Sequence, residues 1–270
     1  MPLNLSSGVG AISEKLGALG YERVRRAVAA LSLSFFAIVF LFIAFSVPVP
    51  GWQAPFVALA ACYLVAFFAV VAEWFWGRWF ATGLGYWGLT MTAMAWVTTR
   101  SLPPAMIIFG ATHALIAACL QGEKMAVLFD AKPAWRARWK LDDQGVVRVR
   151  KSVTRAASSL PALIMFALAP RQEQELLAAA AFAFGVVGFG GVLLNRTYGV
   201  IALTVAALAT AGTVVFSSLP VNVEAFFQNE FQVNAGNTLL LPMGALAAVL
   251  LGLAALPFLK PMAGFVLRRR

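Results

Sequence analysis

Seven long apolar runs, at residues 27–47, 55–73, 79–99, 104–120, 176–194, 199–217 and 238–259, dominate this 270-residue chain. Each approaches or reaches the roughly 20 residues a helix needs to cross a bilayer. No soluble architecture buries so many such runs at once. The charge content agrees, because only 12% of residues are charged while 61% are hydrophobic. A water-facing surface needs about twice that charge fraction. The runs therefore predict an all-α integral membrane protein, a polytopic bundle forming one transmembrane domain.

An eighth, shorter run at 156–169 carries Pro161. Fourteen residues of helix reach only about 21 Å, less than a core about 30 Å thick. Charge distribution argues for keeping it as a span. With eight crossings and both termini inside, 19 of the 21 Lys and Arg residues face the cytoplasm, leaving only Arg100 and Arg171 outside. Basic residues beside helix ends resist translocation, so this bias sets orientation. Without the eighth span, Arg196 and the arginines at 268–270 would change sides. The expected organisation is a cytoplasmic amphipathic segment (1–26), spans one to four (27–120), a basic cytoplasmic loop (121–155), spans five to eight (156–259) and a basic tail (260–270). The expected home is a bacterial-type inner membrane. The net charge of +10 is then the cytoplasmic bias of a multi-pass protein, and no nucleic-acid partner is called for.

The basic loop is more patterned than a plain connection. In Trp135-Arg136-Ala137-Arg138-Trp139-Lys140-Leu141 apolar and basic residues alternate, Asp142-Asp143-Gln144-Gly145 supplies turn chemistry, and Val146-Val147-Arg148-Val149-Arg150 alternates again. That pattern predicts a small β-hairpin between spans four and five. Trp135, Arg136, Arg138, Trp139, Lys140, Arg148 and Arg150 would then form a surface for anionic lipid headgroups or for a membrane or cytoplasmic protein partner.

Between spans two and three, Glu73-Trp74-Phe75-Trp76-Gly77-Arg78-Trp79 places three tryptophans and a candidate Glu73–Arg78 ion pair at headgroup depth. His113 lies mid-span, where ionisable groups are costly and often functional. Glu73, Arg78 and His113 are accordingly the candidates to touch a substrate or lipid. Glycines recur in span three (Gly83, Gly85, Gly88) and span six (Gly185, Gly188, Gly190, Gly191), as close helix packing requires. Cys62 and Cys119 both sit in apolar runs and read as buried free thiols.

Catalytic chemistry is poorly provided for. One histidine and no acid well inside a span leave no metal-ligand set. No HExxH, Walker or Gly-x-Ser-x-Gly motif occurs, and aspartate is confined to the basic loop. No cofactor or catalytic residue is expected. The expected function is a non-catalytic inner-membrane subunit that docks partners through the basic loop and its helix faces. The alternative is a small permease or lipid-handling transporter with its site near His113 and the Glu/Arg/Trp turn.

Overall fold

The computed structural model describes residues 20–46, 51–100, 102–130, 135, 142–170, 175–216 and 236–267. Every regular element among them is a helix: α1 (Tyr21–Ser46), α2 (Gln53–Val71), α3 (Gly77–Thr99), α4 (Pro104–Leu120), α5 (Glu123–Asp130), α6 (Asp143–Leu168), α7 (Glu175–Leu193), α8 (Thr197–Phe216) and α9 (Gly236–Leu267). Five of them, α1, α2, α7, α8 and the 240–259 part of α9, are long and apolar enough to cross a membrane. The α4–α5 pair, bent by 74°, adds a sixth if taken as one broken span.

The other two long helices, α3 and α6, are too polar to meet that standard, and their places in the bundle accommodate it. Residues 156–167 of α6 are all buried, on every side of the helix. Its neighbours are α2, α3, α7 and α9, so it is the central helix of the bundle. A helix shielded from lipid by protein has no need of a fully apolar surface, and α6 retains Ser152, Ser158 and Ser159 in its buried part. Pro161 lies inside it, tolerated because packed neighbours hold a helix that has lost one backbone bond. In the same way, residues 77–85 of α3 are buried throughout.

The short run at 156–169 is thus the second half of a 26-residue helix, about 39 Å long at 1.5 Å per residue. The other half overturns the expected return strand of the hairpin. Residues 146–150 are helical. The Asp142 side chain accepts the Gly145 N–H at 2.6 Å, so the acidic turn residues form an N-cap with Asp143 in the first turn. Val146, Val149 and Val153 recur at helical spacing and are buried. The period-two alternation of Val and Arg competed with this period and lost, because the helical face has a core to enter. Of the strand expected at 135–141, only Trp135 is among the described residues.

The chain folds as two four-helix groups. In the first, α1 packs on α2, α2 on α3, α3 on α4, and α4 returns to α1; α6 to α9 repeat that cycle. The groups meet chiefly where α3 lies along α6. Glycine makes that meeting close: a Cβ on Gly83 would lie 2.5 Å from the Ala157 Cβ and 2.6 Å from the Thr154 carbonyl oxygen.

Candidate functional site

The three candidate substrate residues go to separate places. Glu73 takes a left-handed turn conformation after α2 (φ 52°) and pairs with Arg26 of α1. Arg78, in the first turn of α3, is buried and pairs with Asp130 of α5, with Nε donating to Oδ1 at 3.2 Å. The expected Glu73–Arg78 pair is therefore replaced by two pairs that tie the α2–α3 turn to α1 and to α5. Gly77 lets the turn close, since a Cβ there would sit 2.5 Å from the Ala69 carbonyl oxygen.

His113 is fully buried at mid-α4. Its Nδ1 lies 2.8 Å from the Phe109 carbonyl oxygen and its Nε2 2.6 Å from the Tyr63 hydroxyl. Those contacts satisfy a neutral ring, with Nδ1–H donating and Nε2 accepting from Tyr63. Phe36 and Phe109 cover the ring at centroid distances of 4.3 and 4.1 Å, and α3 approaches it at Gly88. An apolar cavity of about 360 Å³ lies beside this cage, walled by Phe36 and Phe109 among others. The imidazole is not part of its wall.

Of the expected docking residues, Arg136, Arg138, Trp139 and Lys140 lie outside the described residues. Trp135 is only 9% exposed. It stacks on Phe75 at 4.3 Å and meets Trp79 edge-on at 6.2 Å, so the ring faces the α2–α3 turn. Arg148, half-buried, donates to Gln144 one turn earlier on α6.

Arg150 has a different setting. It opens into a groove of about 480 Å³ formed by α3, α6, α9 and the end of α4. Helix α3 contributes Arg78, Thr82, Tyr86 and Thr90, four residues at i+4 spacing on one face. From α6 come Arg150, Lys151 and Arg155, with Thr154 and Ser158 deeper in. Gln121 closes one end, and Leu246 and Leu250 of α9 supply an apolar wall. The groove thus brings together Arg78 and Arg150, expected in different roles, and adds Lys151, Arg155 and a set of hydroxyls that sequence reasoning missed. The i+4 polar stripe along α3 was the available signal.

Electrostatically the groove is basic at one end. Asp130 offsets Arg78, and Arg155 donates to the Leu253 carbonyl at 2.8 Å, a bond that leaves its charge uncompensated. Arg150 and Lys151 have no ionic or hydrogen-bond acceptor among the described residues. Trp79 also belongs to the wall, and its buried Nε1–H finds no acceptor there. A buried donor without an acceptor is uncommon and expensive. Chemically, this arrangement can hold an anion and orient a group beside it. No three His, Cys, Asp or Glu side chains converge on a metal position among the described residues. Comparison with family models, curated proteins and solved structures finds no match to this chain.

Proposed function

We propose that this chain is a multi-pass, lipid-handling membrane protein that takes the head of an anionic amphiphile into the groove between α3, α6 and α9. One observation carries the reading: Arg150, Lys151 and Arg155 line one cavity with hydroxyls and two leucines, a wall graded from cationic to apolar as a lipid is. Tyr86 and Thr90 at its rim are exposed although they lie in the middle of α3, where the surrounding medium is hydrocarbon. An amphiphile can enter there sideways from the bilayer.

In this reading α1 to α4 and α6 to α9 all cross the membrane, giving eight crossings with both termini in the cytoplasm. Supporting it, Arg25 binds the end of α4, donating to the Ala118 and Gln121 carbonyl oxygens at 2.7 and 2.5 Å, and Arg78 of α3 and the basic residues of α6 gather at the same end. Single cysteines at Arg100 and Gln121, in a background free of Cys62 and Cys119, provide the check. A membrane-impermeant maleimide applied to intact cells should label the first and spare the second. The reverse pattern would sink this topology.

Neutralising two groove cations tests the site. Each basic residue near anionic lipid contributes about 1 kcal/mol, so R150Q/K151Q should weaken phosphatidylglycerol binding about 30-fold. Native mass spectrometry or a thermal-shift titration in a neutral detergent would read this. Unchanged affinity would remove the groove as the site.

A second reading, a non-catalytic subunit of a larger membrane assembly, is favoured by Gly190 on α7 and Gly252 on α9. Both have open space where a Cβ would point, and small residues on a lipid-facing helix let another helix approach. Co-purification of other membrane chains at fixed stoichiometry is the result that would move the assignment to it.

A further inference from the structure

The hydrogen-bond directions inside the groove say more about its ligand than the charges do. Thr82 donates its hydroxyl proton to the Arg78 carbonyl at 2.7 Å, and Thr90 donates to the Tyr86 carbonyl at 2.8 Å. Ser158 lies within hydrogen-bonding distance of both the Gly83 and the Thr154 carbonyl oxygens, at 3.0 and 2.9 Å. A hydroxyl has one proton and two lone pairs. With the protons turned toward backbone carbonyls, these three oxygens present only acceptors to a ligand. This back-bonding is the usual state of Ser and Thr in membrane helices.

The basic end is the opposite. Arg150 and Lys151 offer donors only, as does the part of Arg155 not bound to Leu253. The groove therefore has a cationic donor end and, one turn further in, two acceptor oxygens on Thr82 and Ser158; beyond them Tyr86 accepts from the Gln121 amide at 3.0 Å and keeps its own proton. Ser158 reaches across to Gly83, which puts it level with Thr82. Arg78 and Arg155 lie about one turn, or about 5 Å, nearer the basic end.

Resting on the lipid-handling reading, we infer that the ligand is a hydroxylated lipid phosphate, with a free hydroxyl between the phosphate and its apolar chain, as in a lysophospholipid. The phosphate accepts from Arg150, Lys151 and Arg155. The ligand hydroxyl donates to Thr82 or Ser158, and the chain runs out past Leu246 and Leu250. A two-chain phospholipid is discriminated against, because a second ester takes the place of that hydroxyl and sets an acceptor against the Thr82 and Ser158 acceptors. A simple alkyl phosphate fills the donor end but leaves those two acceptors without a partner.

The experiment uses the full chain in a neutral detergent and compares four probes by native mass spectrometry or thermal shift: oleoyl lysophosphatidic acid, dioleoyl phosphatidic acid, oleyl phosphate and inorganic phosphate. Lysophosphatidic acid should bind about tenfold tighter than oleyl phosphate, the scale of one or two added hydrogen bonds. T82V/S158A should reduce that preference to about twofold without changing oleyl phosphate binding. Thr82→Ser, which keeps the acceptor, should preserve it and guards against a folding defect in the double variant. If oleyl phosphate binds as tightly as lysophosphatidic acid, or the preference survives T82V/S158A, the hydroxyl inference is overturned while the groove remains a lipid site. Inorganic phosphate binding as tightly as the lipids would assign the groove to a free anion. If R150Q/K151Q leaves every probe unaffected, the groove reading itself fails.

Discussion

Asp130→Asn is expected to destabilise the protein by about 3–5 kcal/mol, because it strips the counter-charge from a buried guanidinium. Arg78 is 8% exposed and its pairing with Asp130 is two-pronged, through Nε and a terminal nitrogen. Asparagine keeps the size and some hydrogen-bonding capacity and removes only the charge. For a chain of this length each kcal/mol is worth about 2–4 °C, so heating followed by size-exclusion chromatography should show loss of the monodisperse peak at least about 6 °C earlier. The double variant R78L/D130L should recover most of that loss, since removing both charges leaves none stranded. The same Asp130→Asn change should also tighten binding of anionic lipid, by up to about fivefold, because Arg78 then adds an uncompensated charge to the groove. Stability falling while affinity rises is a pattern that simple misfolding would not give. Equal thermal behaviour of Asp130→Asn and wild type would refute the assignment of this pair.

The second large effect is expected at the α7–α8 hairpin. A turn of only three residues, Leu194 to Arg196, joins the two helices, with Asn195 in a left-handed conformation (φ 52°). So short a turn drives the helices together immediately beside it, and Gly191 and Gly199 are the residues that meet there. A Cβ on Gly191 would lie 2.5 Å from the Gly199 Cα, and a Cβ on Gly199 would run into the backbone of Gly191 and Val192. Backbone cannot move aside as a side-chain tip can. Gly199→Val should therefore cost at least about 1–3 kcal/mol, the usual penalty for overpacking, and abolish recovery of folded protein from membranes. Gly190→Ala, one residue from Gly191 but facing open space, is the matched control and should purify as wild type does. Similar yields from both variants would show that the hairpin is not so tightly closed.

Gly185 and Gly188 continue the contact of α7. Added Cβ atoms would strike Leu163 of α6 in the first case and Leu203 of α8 in the second. Together with Gly83, Gly85 and Gly88 on α3, they show why the glycine runs could be read in advance as packing surfaces. Residues three or four apart share a helix face whatever surrounds them. Which partner each glycine meets could not be read, because that depends on how α3, α6, α7 and α8 are placed around one another.

The basic hairpin was misread for a definable reason. In residues 146–150 the alternation of Val and Arg fits a strand, while Val146, Val149 and Val153 fit a helix, and a short window cannot separate the two periods. The decision came from outside the window, where residues 156–167 give the helix a fully buried continuation. Correcting that reading moves Arg150 from a docking hairpin to the mouth of a groove, where Lys151 joins it, and the functional proposal follows from the move.

By itself the sequence determined that this chain is built from several helices apolar enough to cross a membrane. Hydropathy is a property of local segments, and the bilayer acts on each segment separately. Tertiary structure decided the rest. It chose Arg26 for Glu73 and Asp130 for Arg78, enclosed His113 among Tyr63, Phe36 and Phe109, and made the least apolar long helix the central one. Long polar side chains find partners tens of residues away, and a helix sheltered by its neighbours is released from the demand that lipid makes on the others. Both effects depend on which helices stand side by side, and no single segment carries that information.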